Sequence, residues 1–349
     1  MPLNRLYETI INTRNSLYEK GVFKPHSLDV LTISIGNITV GGTGKTPLVA
    51  YVAEVLAENG ERVCILTRGY GRENPRKRVL VSDGETILTD FKNAGDEPFE
   101  LAQKLLGKAV VVADASRATA GVWARAKFGV TAFVLDDAFQ HRLVERDLDI
   151  VCIDATNPFG NGKTLPTGIL REPLENLKRA DTVVITRANL VEDISNLKSQ
   201  ISKYNPHCPI FVSENRISKL IDLEKFHAGK AQNLPSATEN GRRTTDKFLA
   251  FCALGNPNNF FEQLRREKFN IITTQTFPDH HFYTQNDIEK LVEKAKENGA
   301  EILLTTAKDA VKLKNLEIDL PCFVAESELI FSGEGNFRKW ILENIKDKG

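Results

Sequence analysis

Residues 36–48 read GNITVGGTGKTPL, placing Gly41, Gly42 and Gly44 beside one cation, Lys45, and one hydroxyl, Thr46. That set of residue types suits an anion. Glycines take positive φ and bring N–H groups close to oxyanions. A lysine after the last glycine reaches β- and γ-phosphates, and the next hydroxyl ligates Mg2+. The pattern G-x-x-x-x-G-K-[ST] asks for glycine at position 39, where this chain has Thr39. The doubled Gly41–Gly42 supplies the freedom instead. Thr39, Val40, Gly41, Gly42, Thr43, Gly44, Lys45 and Thr46 are therefore read as a nucleoside-triphosphate loop, with Lys45 and Thr46 in its chemical roles.

Other groups fall where a second half of such a site belongs. Asp136 and Asp137 end an apolar run at 131–135, the arrangement in which a carboxylate holds Mg2+ opposite the Thr46 hydroxyl. Gln140 and His141 follow, within reach of phosphate, metal or acceptor. Gly95-Asp96-Glu97-Pro98 offers two carboxylates at a loop-to-helix junction, as metal ligands, as a base, or as a helix cap. Asp279-His280-His281 is either an acid/base pair, a metal site or a solvated loop. Arg171 stands in a proline- and glycine-bounded loop, LPTGILREP, and Arg68 and Arg72 stand in RGYGR; guanidinium suits phosphate or sugar contacts. Thr186-Arg187-Ala188-Asn189 has the place of a guanine-reading [NT]-K-x-D segment, but with asparagine where the base-pairing aspartate belongs, which weakens a GTPase reading.

The elements that must hold these residues alternate. Apolar runs at 30–35, 62–67, 108–113, 131–135, 149–153 and 182–185 read as strands, with helices expected over 49–56, from 96 to 106 and over 116–127. The expectation is an α/β fold with a mostly parallel sheet covered by helices on both faces, its motifs at the carboxyl ends of strands. A second alternation over 248–324 indicates a smaller C-terminal α/β domain. The expected division is 1–24, an amphipathic helix; 25–215, a phosphate-loop domain; 216–247, a linker with a polar loop; and 248–349, the smaller domain. The helix at 1–24 either lies in a membrane interface or packs on its own domain.

Lys+Arg and Asp+Glu number 46 each, so no bulk field attracts nucleic acid. Five scattered cysteines without a CxxC pair indicate reduced thiols. No apolar run approaches the roughly 18–20 residues that span a bilayer, and the N-terminus lacks a signal-peptide core. A cytoplasmic protein, or one seated on a membrane from the cytoplasmic side, is expected.

Taken together, GNITVGGTGKTP, RGYGR, GDEP, DDAFQHR, LPTGILREP and FPDHHFY resemble the tetraacyldisaccharide 4'-kinase family of lipid A biosynthesis, over roughly residues 1–310. The family's usual DDGFQH stands here as DDAFQH, with Ala138 for glycine. The resemblance implies a P-loop kinase, peripheral on the cytoplasmic face of the inner membrane. Its substrates would be ATP, used with Mg2+, and an acylated glucosamine disaccharide 1-phosphate, and its product lipid IVA. It also implies that Asp96 is the catalytic carboxylate, assisted by His280, with Lys45 on the triphosphate and Asp136/Asp137 on the metal. Arg68, Arg72, Gln140, His141 and Arg171 are the acceptor-binding candidates. The alternative is a nucleotide-gated chaperone or metal-insertion GTPase of the P-loop class.

Overall fold

Strands buried on both faces need apolar residues at every position, and this chain supplies them in six runs. In the computed structural model, which describes residues 3–228 and 245–346, these form β1 (Leu31–Asn37), β2 (Val63–Thr67), β4 (Ala109–Ala113), β5 (Ala132–Asp136), β6 (Leu148–Asp154) and β7 (Thr182–Thr186), with every residue buried. They pair in parallel. Two further strands complete this sheet. β3 (Val79–Ser82) is an antiparallel edge, and the first residues of β8 (Ile210–Asp222) pair with β7, giving the order β8-β7-β6-β1-β5-β2-β4-β3. β1 lies where the strand order reverses, between β5 and β6, the position at which such sheets open a crevice at their carboxyl ends.

By its contacts the chain divides into two units, Met1–Glu214 with Ile330–Gly349 and Asn215–Leu329. The second unit carries β9 (Phe248–Cys252), β10 (Ile271–Thr276), β11 (Ile302–Thr306) and most of β12 (Cys322–Phe331), paired in parallel in the order β10-β9-β11-β12. Helices Pro257–Arg266 and Gln285–Glu297 pack on it.

Two expectations differ from this division. The stretch after 216 is not a linker at its start: β8 continues to Asp222, and helix Leu223–His227 follows. The loop expected over 232–247 lies mostly outside the described residues. Residues 330–349, expected in the smaller domain, belong with the first unit, where Phe337 of helix Glu334–Ile345 is fully buried and packs against Tyr51, Phe211 and Phe331.

Candidate active site

β1 ends at Asn37, and the chain then pairs briefly with the LPTGILREP loop. Val40 N–H donates to Ile169 O at 2.8 Å, and Arg171 N–H donates to Ile38 O at 2.7 Å. Thr39 lies in this short antiparallel bridge opposite Leu170 and is buried. Position 39 is therefore extended and paired, which explains why threonine serves where the pattern asks for glycine. The turn comes afterwards, at Gly41 (φ 103°) and Gly44 (φ 81°), and helix Lys45–Glu58 begins immediately. Asn37 Nδ2 donates to Thr43 Oγ1 at 3.0 Å and ties the loop to its strand. A 14-residue helix thus aims its positive end at the space in front of the loop.

The acidic end of β5 faces that space. Lys45 Nζ lies 3.4 Å from Asp137 Oδ1, and Arg171 Nη1 lies 2.7 and 2.8 Å from the two Asp137 oxygens. Burial pushes the Asp137 carboxyl up, but Lys45 and Arg171 outweigh it and hold it at about 2. Asp136 behaves oppositely. Burial, and then Asp137 beside it, push its carboxyl up to about 6, although Thr67 Oγ1 donates to it at 2.9 Å. Arg117 Nη2 donates to Asp136 O at 2.5 Å and secures the backbone here. Ala138, in place of the family's glycine, is accommodated: its φ is not positive, and its methyl is buried in a cluster with Leu28, Cys64 and Leu135.

These groups fit a magnesium ion. Asp136 is a buried carboxylate short of positive charge, and Asp136, Asp137 and the Thr46 hydroxyl are hard oxygen donors. Among the described residues no cluster of three or more His, Cys, Asp or Glu is placed to cage a metal.

The GDEP and RGYGR loops are built against each other. A Cβ on Gly95 would come within 2.7 Å of Tyr70 O, so only glycine lets the two backbones approach this closely. Gly95 also takes the cap position of helix Asp96–Lys104, which disposes of the cap reading for Asp96. Asp96 is instead the helix's first residue, and it is buried. Of the two arginines in RGYGR, Arg68 is exposed, whereas Arg72 is buried. Arg72 donates to Lys77 O and Ala113 O at 2.8 Å each and to Pro75 O at 2.5 Å. Its guanidinium braces the end of β4, which corrects its assignment as an acceptor-binding residue.

A cavity of about 390 Å3 opens beside Asp137, lined by Tyr7, Ile11, Arg14, Val40, Arg68, Arg117, Gln140, His141, Leu165 and Arg171. Four guanidiniums in one cavity suit an anionic ligand. Gln140 Nε2 donates to Asn37 O at 2.9 Å. Burial, with Arg117, Arg146, Arg68 and Arg14 around it, pushes the His141 imidazole down to about 4. Its buried Nε2 has no hydrogen-bond partner among the described residues. Sequence reading missed Tyr7, Ile11, Arg14, Arg117 and Leu165. Arg117 had a signal, because it follows the carboxyl end of β4, and Leu165 had one, because it opens the LPTGILREP loop; Tyr7, Ile11 and Arg14 had none.

In the second unit, His281 is fastened. Its Nε2 lies 3.1 Å from Asp287 Oδ2, part of the box that caps helix Gln285–Glu297, and its ring stacks on Phe277 at 4.9 Å. His280, at φ 61°, lies 3.7 Å from Asp279, which also pairs with Lys308 at 3.7 Å. Tyr283 Oη donates to buried Asp309 at 3.0 Å and anchors the segment.

The sheet, the glycine loop opening a helix, and the acidic strand end opposite it define a P-loop phosphotransferase fold. A sequence profile described as Tetraacyldisaccharide-1-P 4'-kinase matches residues 1–346, and the chain belongs to this family. Among its relatives are the Tetraacyldisaccharide 4'-kinases of Halothermothrix orenii, 38% identical over 90% of this chain and 83% of that one, and Desulfotalea psychrophila, 35% identical over 100% and 96%. The crystal structure of an "apo" form of LpxK from Aquifex aeolicus in complex with ATP is similar at a TM-score of 0.76 and 32% identity, covering 98% of this chain and 97% of that one.

Proposed function

We propose that this protein is an ATP-dependent kinase that phosphorylates the 4'-hydroxyl of a tetraacylated glucosamine disaccharide 1-phosphate, giving lipid IVA. The observation that carries the proposal is the junction of two halves: a triphosphate loop with Lys45 at its helix start, and, across Asp137 and Arg171, a cavity rich in guanidinium groups. Family membership over nearly the whole chain supports the same reading.

In the proposed reaction Lys45 and the loop N–H groups hold the β- and γ-phosphates. Asp136, Asp137 and Thr46 would hold Mg2+, which supplies charge neutralisation on the phosphates when bound. Asp96 accepts the proton of the 4'-hydroxyl as its oxygen attacks the γ-phosphorus. The bond from that phosphorus to the β,γ-bridging oxygen breaks, and ADP leaves. His280 is proposed as the partner of Asp96. Arg68, Arg171, Gln140 and His141 are proposed on the acceptor side.

The lipid substrate argues for work at a membrane surface, and we place the protein peripherally on the cytoplasmic face. No helix among the described residues is long and apolar enough to cross a membrane. The GTPase alternative has no supporting observation: Thr186 and Arg187 engage the phosphate loop itself.

The test is Asp96→Asn assayed with ATP and the acylated disaccharide. Transfer should fall by about 10²–10⁴-fold, the usual share of a general base, while ATP affinity stays within about threefold, less than one hydrogen bond is worth. Near-normal transfer by the folded variant would remove Asp96 from the base role.

A further inference from the structure

The peptide carbonyls of the phosphate loop are held from behind. Thr186 Oγ1, at the end of β7, donates to Thr43 O at 2.8 Å, and Arg187 Nη1 donates to Gly42 O at 2.7 Å. The same arginine is ion-paired with Asp154 at the end of β6. Asp154 is buried and also accepts from the Thr156 N–H at 3.0 Å and the Thr156 hydroxyl at 2.8 Å. Arg187 keeps φ at 55°, a left-handed conformation that a non-glycine residue holds only where its surroundings fix it.

A peptide unit is planar, with its C=O and N–H pointing in opposite directions. Pinning the Gly42 carbonyl toward β7 turns the Thr43 N–H the other way. Pinning the Thr43 carbonyl does the same for the Gly44 N–H. We infer that Thr186 and Arg187 are positioning residues for the triphosphate, setting these two peptide planes so that their N–H groups face the anion before it arrives. A donor on the carbonyl also polarises the amide and strengthens its N–H as a donor. Because Asp154 neutralises Arg187, the contribution is orientation more than long-range attraction. The inference rests on the loop holding a triphosphate, and it gives the 186–189 segment a role that does not involve a base.

The experiment uses the full chain and three variants: Thr186→Val, which keeps shape and removes one donor; Arg187→Ala with Asp154→Asn, which leaves no buried charge unpaired; and Lys45→Ala. ATP dissociation constants, KM for ATP and for the acylated disaccharide, and the nucleotide-free thermal midpoint are measured for each. Thr186→Val and the double variant should each weaken ATP binding by about tenfold, the worth of one hydrogen bond to an anion. KM for the acceptor should stay put, and the Thr186→Val midpoint should fall only by the small amount that one buried carbonyl left without its donor costs. Unchanged ATP affinity in folded Thr186→Val, or ATP and acceptor KM rising together with a midpoint that falls further than this, would overturn the inference. Lys45→Ala separates the two levels. If it too binds ATP normally, the reading of the loop fails; if it loses ATP while Thr186→Val does not, only the positioning role fails.

Discussion

At the scale of single residues, the site is organised by which charges burial permits. Burial first, and then the four arginines around it, hold the His141 imidazole down, so it is neutral at pH 7. The sign of its effect on stability follows. The unfolded side chain takes up a proton near pH 6.5, whereas the folded one, pushed down to about 4, resists until lower pH. The contribution is therefore complete above the unfolded value and lost as pH falls through that interval. Urea midpoints of wild type and His141→Gln should diverge between pH 7 and 4.5, with wild type losing more. Asp136, whose carboxyl is pushed up to about 6, acts with opposite sign in the same interval, but it is common to both proteins and cancels. Parallel pH profiles would show that His141 titrates normally. The two RGYGR arginines provide a second contrast. Arg72→Ala leaves three carbonyls without their donor and should destabilise by about 2–4 kcal/mol, with acceptor KM unmoved. Arg68→Ala should do the reverse, raising acceptor KM with little change in the thermal midpoint. Both are read from steady-state kinetics alongside thermal unfolding.

At the scale of elements, the N-terminal helix Leu3–Glu19 carries two apolar stripes. The inner one docks: Ile11 is buried, Tyr7 Oη donates to Arg171 O at 2.8 Å, and Asn15 Nδ2 donates to Glu172 at 2.8 Å. Glu172, fully buried, is also gripped by Arg179 at 2.8 and 3.1 Å. The outer stripe, Leu3, Leu6 and Ile10, is 66%, 50% and 58% exposed. Packing and interface were rival readings of this segment, and 3.6-residue periodicity cannot separate two adjoining stripes. Packing holds for the inner stripe; the outer one is exposed, and under the proposed function it is the face that would meet a lipid surface. Changing Leu3, Leu6 and Ile10 to serine should lower partitioning onto anionic vesicles by at least about tenfold, since each apolar side chain is worth about 1.5 kcal/mol or more on burial. The cavity wall at Tyr7, Ile11 and Arg14 is left intact, and so should be the thermal midpoint. Equal vesicle binding by the variant would contradict a membrane role for this face. Legibility followed the same physics. Buried parallel strands were readable because both faces demand apolar residues. β3, a short edge, and β8, with Glu214, Arg216 and Lys219 interleaved among its apolar residues, were not. The loop at 39–46 and the pair at 136–137 were readable because each is local. Arg14 and Arg117 were not read as neighbours of Asp137, because only the topology brings them there.

At the scale of the whole molecule, the chain leaves the first unit through β8 and returns through β12, so its last helix completes the unit that holds the phosphate loop. This return was not legible beforehand, because the amphipathic pattern of 334–345 would suit either unit. What decides it is an aromatic cluster. Phe337 lies 4.5 Å from Phe331, 4.8 Å from Phe211 and 5.9 Å from Tyr51 between ring centroids, and Tyr51 belongs to the helix that begins at Lys45. Arg338 adds an exposed pair to Glu58 at 2.6 Å, at the far end of that helix. Phe337→Ala should therefore destabilise by about 3–5 kcal/mol, the range for truncating a buried phenylalanine, and the loss should fall on the nucleotide-binding unit. Hydrogen exchange locates it. Amides of β1, β6, β7 and helix Lys45–Glu58 should lose protection, and ATP, which binds only the folded unit, should restore part of it. Amides of β9 and β11 should keep theirs. Loss of protection centred on β9 and β11 instead would assign the final helix to the second unit and undo this account of how the chain closes on itself.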